Sequence, residues 1–324
     1  MPNSLSPVPI IAARAAPVFV LQREISARVG AALSNAARRL YSTGGPKFIF
    51  DTGTGGIFMI LYFGRSRAIF YTGLAATAAL ALAVAYRRAD GPFWLLILTV
   101  SLVAIIGSAV TTLVANIAAA SCESRVLEKL HIALEPEEFI SLYEKAARGQ
   151  KHGSAQSVVG LASLADGYCA AGDWRRALKT LEEPGEAVPQ AKRAALTALV
   201  KRNRCRYTLW GGNPKEARAA LASFEKQLDS LKEQNPKLVE NFGSDAKLYA
   251  TWTALLEGGK ADMAELEETM RRTPTKLAKF DLCQMLIIAA RRARDAEAEE
   301  RYSRMFAEEG GHLARAKDLR KKFA

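Results

Sequence analysis

Two uncharged apolar segments near the start of the chain constrain its fold more than any other feature. The first runs from Ala68 to Tyr86 and the second from Phe93 to about Ala120, and neither contains Asp, Glu, Lys, Arg or His. A helix needs about 20 apolar residues to cross a bilayer core, and each segment has that length. Only the breaker-rich turn RRADGP separates them. We therefore predict a two-helix transmembrane hairpin rather than a pair of buried core helices.

The charges beside the hairpin predict its role and orientation. Basic residues flank both outer ends and also occupy the turn: Arg65, Arg67, Arg87, Arg88, Arg125 and Lys129. Counted over these short flanks, they favour both termini on the positive-inside face. Channels and transporters usually carry ionisable residues at depth, and neither segment has one. We predict an anchor in a bacterial cell membrane with a cytoplasmic soluble domain, or alternatively an anchor in the mitochondrial inner membrane.

Residues 1–58 have two interpretations. The arginine-rich and acid-poor stretch REISARVGAALSNAARRL, with Arg39 shortly before Tyr41, is typical of a mitochondrial transit peptide and its processing site. Alternatively, Gly55 and Gly56 can be encoded by a ribosome-binding sequence that would make Met59 the true start. We favour the second interpretation and expect an N-terminal extension over 1–58, the hairpin over 59–122 and a soluble domain over 123–324.

The net charge of +12 does not require a nucleic-acid partner. Ten basic and three acidic residues lie before Cys122, so more than half of the excess precedes the soluble part. Membrane topology and anionic lipid explain basic residues at such places. We expect a lipid bilayer and a protein as partners, and no nucleic acid.

The soluble part is predicted to be all-α, and one passage in it has a repeat pattern. LASLADGYCAAGDWRRALKTLEEP places small and large apolar residues around a turn glycine: Leu164, Ala165, Tyr168, Gly172, Trp174, Ala177 and Leu181. Small alanines let two helices approach closely, and the aromatic residues fill the space between them. Gly212, Ala217 and Leu221 occupy comparable places about 40 residues later.

Weaker copies of this pattern follow. Leu255, Gly259, Ala264 and Met270 indicate a third helix pair, and DLCQMLIIAARRARDAEAEERYSRMF indicates a fourth that lacks a turn glycine. A last helix from His312 to Phe323 would cap the stack with Leu313, Ala316 and Leu319 facing inward. The chain resembles bacterial membrane-anchored tetratricopeptide-repeat proteins. The resemblance covers residues 137–324 and implies an α-solenoid of antiparallel helix pairs that binds other proteins.

No motif for chemistry is recognisable. His131, His152 and His312 lie in different predicted elements, and none has Cys, Asp or Glu at metal-ligand or triad spacing. Of the four cysteines, three lie in apolar helical stripes, where small core residues are expected. We predict no catalytic, cofactor-binding or metal-binding residue, and no enzyme.

One basic cluster has two interpretations. Lys201, Arg202, Arg204 and Arg206 lie close together on one predicted helix. They form either an ordinary solvated face or a surface that binds an acidic peptide or anionic lipid. On the second interpretation, charge reversal at Arg202 and Arg206 should weaken partner binding and leave the domain folded.

The function predicted from these features is that of a membrane-anchored scaffold or adaptor that binds other proteins at the membrane surface. The alternative is an accessory subunit whose hairpin packs within a larger membrane complex, which could be mitochondrial.

Overall fold

The structure of the protein is a computed structural model that describes residues 64–233 and 235–324. The two interpretations of residues 1–58 lie outside the described residues. The described residues form twelve α-helices and no strand: α1 (Gly64–Arg87), α2 (Phe93–His131), α3 (Pro136–Arg148), α4 (Ala155–Ala170), α5 (Trp174–Thr180), α6 (Gln190–Gly211), α7 (Pro214–Leu231), α8 (Pro236–Leu256), α9 (Met263–Arg272), α10 (Lys276–Ala293), α11 (Ala296–Glu309) and α12 (Ala314–Phe323).

The described residues divide into two units. One, the hairpin unit, consists of residues 64–127 and 142–151. The other, the helical unit, consists of residues 128–141 and 152–324 without Gln234. Because the division falls after Leu127, it lies five residues beyond the boundary expected from the sequence.

The two helices of the hairpin unit pack through small residues. A Cβ built at Gly73 of α1 would lie 2.5 Å from Thr111 Cγ2 of α2, and a Cβ at Gly107 of α2 would overlap Thr77 of α1 in the same way. The absence of both side chains therefore lets the helix backbones approach closely. The hydroxyl of Thr77 donates a 2.9 Å hydrogen bond to the carbonyl oxygen of Gly73, which satisfies this polar group within its own helix.

The large apolar side chains of α1 and α2 mostly point away from this contact. Those with extensive exposure are Tyr71, Leu80, Leu82, Tyr86, Phe93, Trp94, Ile97, Leu98, Leu102, Ile105, Ile106, Val110 and Val114. The two helices, over Ser66–Arg87 and Phe93–His131, are long and apolar enough to cross a membrane. The predicted pair of apolar helices is confirmed, and α2 extends well beyond the apolar segment.

In the helical unit, neighbouring helices pack against one another along the chain. Contacts join α4 to α5, α5 to α6, α6 to α7 and α7 to α8, and they continue from α9 through α10 and α11 to α12. A second set of contacts joins α4 to α6, α6 to α8 and α8 to α10. Four alternate helices are therefore adjacent in space, which places side chains from distant parts of the sequence beside one another.

The turns between paired helices explain several of the sequence signals. Gly172 has φ +91° after α4 and Gly212 has φ +73° after α6, and glycine adopts such angles at little cost because it lacks a Cβ. At the fourth pair, where no turn glycine was found, Arg294 takes the same left-handed conformation with φ +58°. In the first of these turns, directly after Gly172, the Asp173 carboxylate caps α5 by accepting the backbone N–H of Arg176 at 2.9 Å.

Most of the repeat residues are buried as expected: Leu164, Ala165, Tyr168, Ala177, Ala217 and Leu221. Trp174 is half-buried and its ring lies against Gly211, at the end of the following helix α6. Leu181 follows the last residue of α5 rather than lying inside the helix, and it is half-buried. Leu142 of α3 is exposed.

The C-terminal helix contacts the first residues of the helical unit. Leu313, Ala316 and Leu319 are buried, as predicted. The backbone N–H of His312 donates a 2.9 Å hydrogen bond to the carbonyl oxygen of Leu134, a residue with φ +59° that follows the end of α2. An ion pair of 2.6 Å joins Lys317 to Glu137. The end of the chain therefore stabilises the start of the same unit.

Substitution of Gly107 by Ala should separate the hairpin helices, because the added methyl group would overlap Thr77. We expect a loss of about 1–3 kcal/mol in hairpin stability, the usual cost of overpacking. The measurement is the resistance of detergent-solubilised protein to unfolding by sodium dodecyl sulfate. Leu102→Ala, at an exposed position, is the matched control. Equal resistance of both variants and the wild type would contradict the close contact.

Candidate functional site

A cleft in the helical unit is the candidate functional site. It has a volume of about 60 Å³ and is lined by residues of α4, α6, α8, α9 and α10, together with His131 from the end of α2. The alternate helices α4, α6, α8 and α10 position its polar groups, because their contact in succession turns one side of each helix toward the same space. This volume holds a few water molecules or a small polar group.

Arg206 on α6 joins two other helices inside this cleft. Its Nε and Nη2 donate to the two carboxylate oxygens of Asp281 on α10 at 2.7 and 3.1 Å. Its Nη1 donates to Asp166 Oδ1 on α4 at 2.7 Å. The pairing with Asp281 is bidentate, the strongest geometry available to a guanidinium and a carboxylate.

Two neutral side chains complete the shell around these carboxylates. The hydroxyl of Tyr207 donates to Asp166 Oδ1 at 2.8 Å, and Trp210 Nε1 donates to Asp281 Oδ1 at 2.8 Å. The two carboxylates and these two side chains are all largely removed from water, so each hydrogen bond compensates for lost hydration. Burial and the charge of Asp166 raise the pKa of Tyr207 well above its ordinary value, which keeps its hydroxyl protonated as a donor.

Arg202 forms a second ion pair one helical turn before Arg206. Its Nε donates to Asp245 Oδ2 on α8 at 2.5 Å, and its Nη1 donates to Asn203 Oδ1 at 3.0 Å. Burial opposes the charge of both guanidiniums, yet the facing aspartates raise the pKa of Arg202 and of Arg206 above the ordinary value. Both arginines are therefore permanently charged, and each ties α6 to a neighbouring helix.

His131 contributes a buried imidazole to the same cleft. Burial lowers its pKa from the ordinary value to about 4, although the negative charge of Asp166 acts in the opposite direction. His131 is therefore neutral at pH 7. In the sequence, no Cys, Asp or Glu lies at ligand or triad spacing from His131. The charge of Asp166, which is distant along the chain, acts on His131 only in the folded protein.

The four residues of the basic cluster expected from the sequence lie in different environments in the structure. The side chains of Arg202 and Arg206 are buried in the ion pairs described above. Lys201 lies against α7, where its Nζ donates to Gln227 Oε1 at 3.2 Å, and Arg204 is exposed beside Glu183 at 3.8 Å. The four residues do not form one solvated surface, because α6 is covered by other helices on several sides.

Sequence reasoning missed the three aspartates of the cleft. Asp166, Asp245 and Asp281 each lie inside a helix, within LADGY, SDAKL and FDLCQ. An aspartate in an apolar helical stripe signals a buried partner, because a lone buried carboxylate costs several kcal/mol. The spacing of Arg202 and Arg206 on one helical face was the complementary signal. Which aspartate faces which arginine is a property of the tertiary structure alone.

A second cavity of about 150 Å³ adjoins the first. Its walls are mainly aromatic and aliphatic, with Trp174, Trp210, Phe280 and Phe306 among them, and α12 contributes Arg315 and Asp318. Arg206 and Leu277 line both cavities. The helical unit therefore presents a polar cavity and an apolar cavity side by side.

Other chemistry is not assembled among the described residues. They contain no group of three His, Cys, Asp or Glu arranged to hold a metal ion. The four thiols are free, and burial raises the pKa of Cys205 and of Cys283 to about 12, which keeps them in the unreactive thiol form. Glu182 is occupied by structural contacts: it accepts from the backbone N–H of Gly153 and, at 2.5 Å, from the hydroxyl of Ser157.

Replacement of Arg206 by Gln should strongly destabilise the helical unit, because it leaves Asp166 and Asp281 buried with no cationic partner. We expect a loss of about 3–5 kcal/mol of unfolding free energy, measured by urea denaturation. For the same reason, charge reversal at Arg206, which the sequence analysis expected to leave the domain folded, should also destabilise the unit. Arg204→Gln on the same helix is the control and should change stability by less than about 0.5 kcal/mol, since its side chain is 50% exposed against 9% for Arg206. Equal effects of the two variants would contradict the proposed bridging role.

Acidification should destabilise the unit through His131. The unfolded chain binds a proton at this residue below about pH 6.5, whereas the folded chain binds it only near pH 4. Above pH 6.5 the imidazole is neutral in both states and does not oppose folding. As the pH falls toward 4, protonation of the unfolded chain lowers the free energy of unfolding. Between pH 6.5 and 5 we expect a loss of about 2 kcal/mol, measured by denaturant unfolding at each pH.

The control for this pH dependence is His131→Gln, which removes the titrating group. The variant should lose less stability than the wild type over the same pH interval. Identical pH profiles of the two proteins would show that other groups cause the effect.

Comparisons of the chain with protein-family models, with curated proteins and with solved structures find no match.

Proposed function

We propose that the protein is a membrane-anchored scaffold whose helical unit binds other proteins at the membrane surface. The observation that carries this proposal is the succession of contacts from α4 through α6 and α8 to α10, which brings four alternate helices together around one cleft. Helical repeat proteins use such a layer of alternate helices as their binding surface. The inference from this arrangement to protein binding is by analogy of architecture.

The exposure of the hairpin helices supports their role as an anchor. In each helix, no residue of the most apolar 18-residue window is buried inside the structure. The core helix of a soluble protein would bury most of such a window. Phe93 and Trp94 begin α2 next to Arg87 and Arg88, an arrangement typical of a membrane interface. We therefore propose a bilayer around the hairpin, with the bacterial cell membrane as the first choice and the mitochondrial inner membrane as the alternative.

The repeat turns support a tetratricopeptide-like organisation of the helical unit. Helix pairs α4–α5 and α6–α7 are each joined by a short turn with a left-handed glycine, Gly172 or Gly212, and each pair is in contact. The pair α10–α11 has the same kind of turn at Arg294. We propose that these pairs are divergent repeats and that the cleft is part of their inner surface.

The two adjoining cavities support a protein ligand. A peptide segment presents polar and apolar side chains at short intervals, which matches a polar cleft beside an aromatic pocket. An acidic peptide remains a proposal for the outer side of α6, where Arg204 is exposed. Inside the cleft, Arg202 and Arg206 are already paired with aspartates, so they offer little attraction to an acidic segment.

An accessory subunit of a larger membrane complex is the second candidate. The wide exposure of apolar side chains along α2, for instance at Leu102, Ile105 and Ile106, suits other membrane helices as well as lipid. Purification in mild detergent separates the two candidates. A scaffold should elute alone or with weakly held clients, and an accessory subunit should co-elute with fixed partners in constant ratio.

A photoreactive amino acid placed at Leu248, on the rim of the cleft, should crosslink a bound protein in native membranes. Ala219, on the exposed side of α7, is the matched position at which no discrete adduct is expected. The measurement is the appearance of a discrete higher-mass band that mass spectrometry identifies. Adducts at both positions with equal yield, or at neither, would count against binding at the cleft.

A further inference from the structure

The charges of the cleft do not balance. Three carboxylates, of Asp166, Asp245 and Asp281, line it together with two guanidiniums. His131 adds no charge at pH 7, because burial lowers its pKa to about 4. The lining therefore carries one excess negative charge. An anion would increase this excess, and a cation would neutralise it.

Two of these carboxylates have an oxygen that is still available. Asp245 accepts the Nε of Arg202 through Oδ2, and within the described residues its Oδ1 accepts no hydrogen bond. Asp166 uses Oδ1 for both Arg206 and Tyr207, and within the same part of the chain its Oδ2 accepts none. By contrast, Asp281 uses both oxygens. The excess charge is therefore accompanied by unused acceptor positions.

A third oxygen, on a residue that lines the cleft, has no partner among the described residues. The side chain of Thr275 is buried, with 2% of its surface exposed, and its Oγ1 takes part in no hydrogen bond. Thr275 directly precedes α10, a place where threonine usually caps the helix through this oxygen, but it does not do so here. A buried hydroxyl without a partner costs about 1–3 kcal/mol, so a ligand that satisfies it is favoured.

The chemistry of these groups indicates which type of cation fits. A divalent metal ion is usually held by several convergent ligands at about 2.0–2.6 Å, and the described residues contain no group of three His, Cys, Asp or Glu that could hold one. A primary ammonium instead donates three hydrogen bonds at about 2.8 Å in separate directions, which suits acceptors spread around a small cleft. The volume of about 60 Å³ admits an ammonium head with part of its alkyl chain.

We propose that this cleft binds a primary ammonium group through Asp166 Oδ2, Asp245 Oδ1 and Thr275 Oγ1. The group belongs either to a free small amine or to a lysine side chain of a bound protein. Binding neutralises the excess charge of the cleft and satisfies the hydroxyl of Thr275. This inference does not depend on the scaffold function, because a free amine tests the cleft by itself.

The experiment uses the full-length chain in phosphatidylcholine nanodiscs and follows thermal unfolding by tryptophan fluorescence. The probes are n-butylammonium as the free amine and Nα-acetyl-lysine-N-methylamide as the lysine side chain. Butyrate and 1-butanol, of matched size, are the anionic and neutral controls, all at constant ionic strength. We expect saturable stabilisation by an amine and none by either control.

The two amine probes distinguish the two sources. Binding of both supports a lysine side chain as ligand, whereas binding of n-butylammonium alone supports a free amine. Absence of saturable stabilisation by either amine, or equal stabilisation by butyrate, would overturn the proposal.

Thr275→Val tests the site without disturbing the ion pairs. The substitution keeps the shape of the side chain and removes a hydroxyl that has no partner, so the variant should fold at least as stably as the wild type. We expect amine affinity to fall about tenfold, which corresponds to the loss of one charge-assisted hydrogen bond of about 1.4 kcal/mol. Thr275→Ser retains the hydroxyl and should bind like the wild type. Unchanged affinity in Thr275→Val would contradict the assignment.

Discussion

The ion pairs of Arg206 are the interaction on which the helical unit depends most. One guanidinium on α6 contacts Asp281 on α10 and Asp166 on α4, residues that are 75 and 40 positions away along the chain. A buried charge is tolerated only when a partner and further hydrogen bonds replace its hydration. The three helices must therefore keep their relative positions, because any separation would expose an uncompensated charge in the interior.

The same constraint shapes the candidate site. With Arg206 fixed, Arg202 is held one turn away and paired with Asp245 on α8, so α6 contacts its neighbours through charges as well as apolar side chains. A cavity of about 60 Å³ remains beside these paired charges. The outcome is a polar cleft with an unbalanced charge, directly beside an aromatic cavity.

The hairpin unit is organised by a different balance. Gly73 and Gly107 permit close backbone contact between α1 and α2, while the bulky apolar side chains lie on the outside. This arrangement is the reverse of a soluble helix pair, in which the large apolar residues face each other. It is favourable only if the surroundings are themselves apolar, which is the physical basis for proposing a bilayer or other membrane helices around it.

The sequence by itself determined the elements whose signals are local. Apolar length predicted α1 and α2, and Gly172 and Gly212 marked turns because a positive φ favours glycine at those places. Burial of Leu164 and Tyr168 also followed from the repeat pattern around Gly172. Only the tertiary structure decided the role of Arg206, because the choice between a solvated cation and a buried ion pair depends on carboxylates that approach from other helices. Helical periodicity specifies which face of a helix is covered, but not which distant residue covers it.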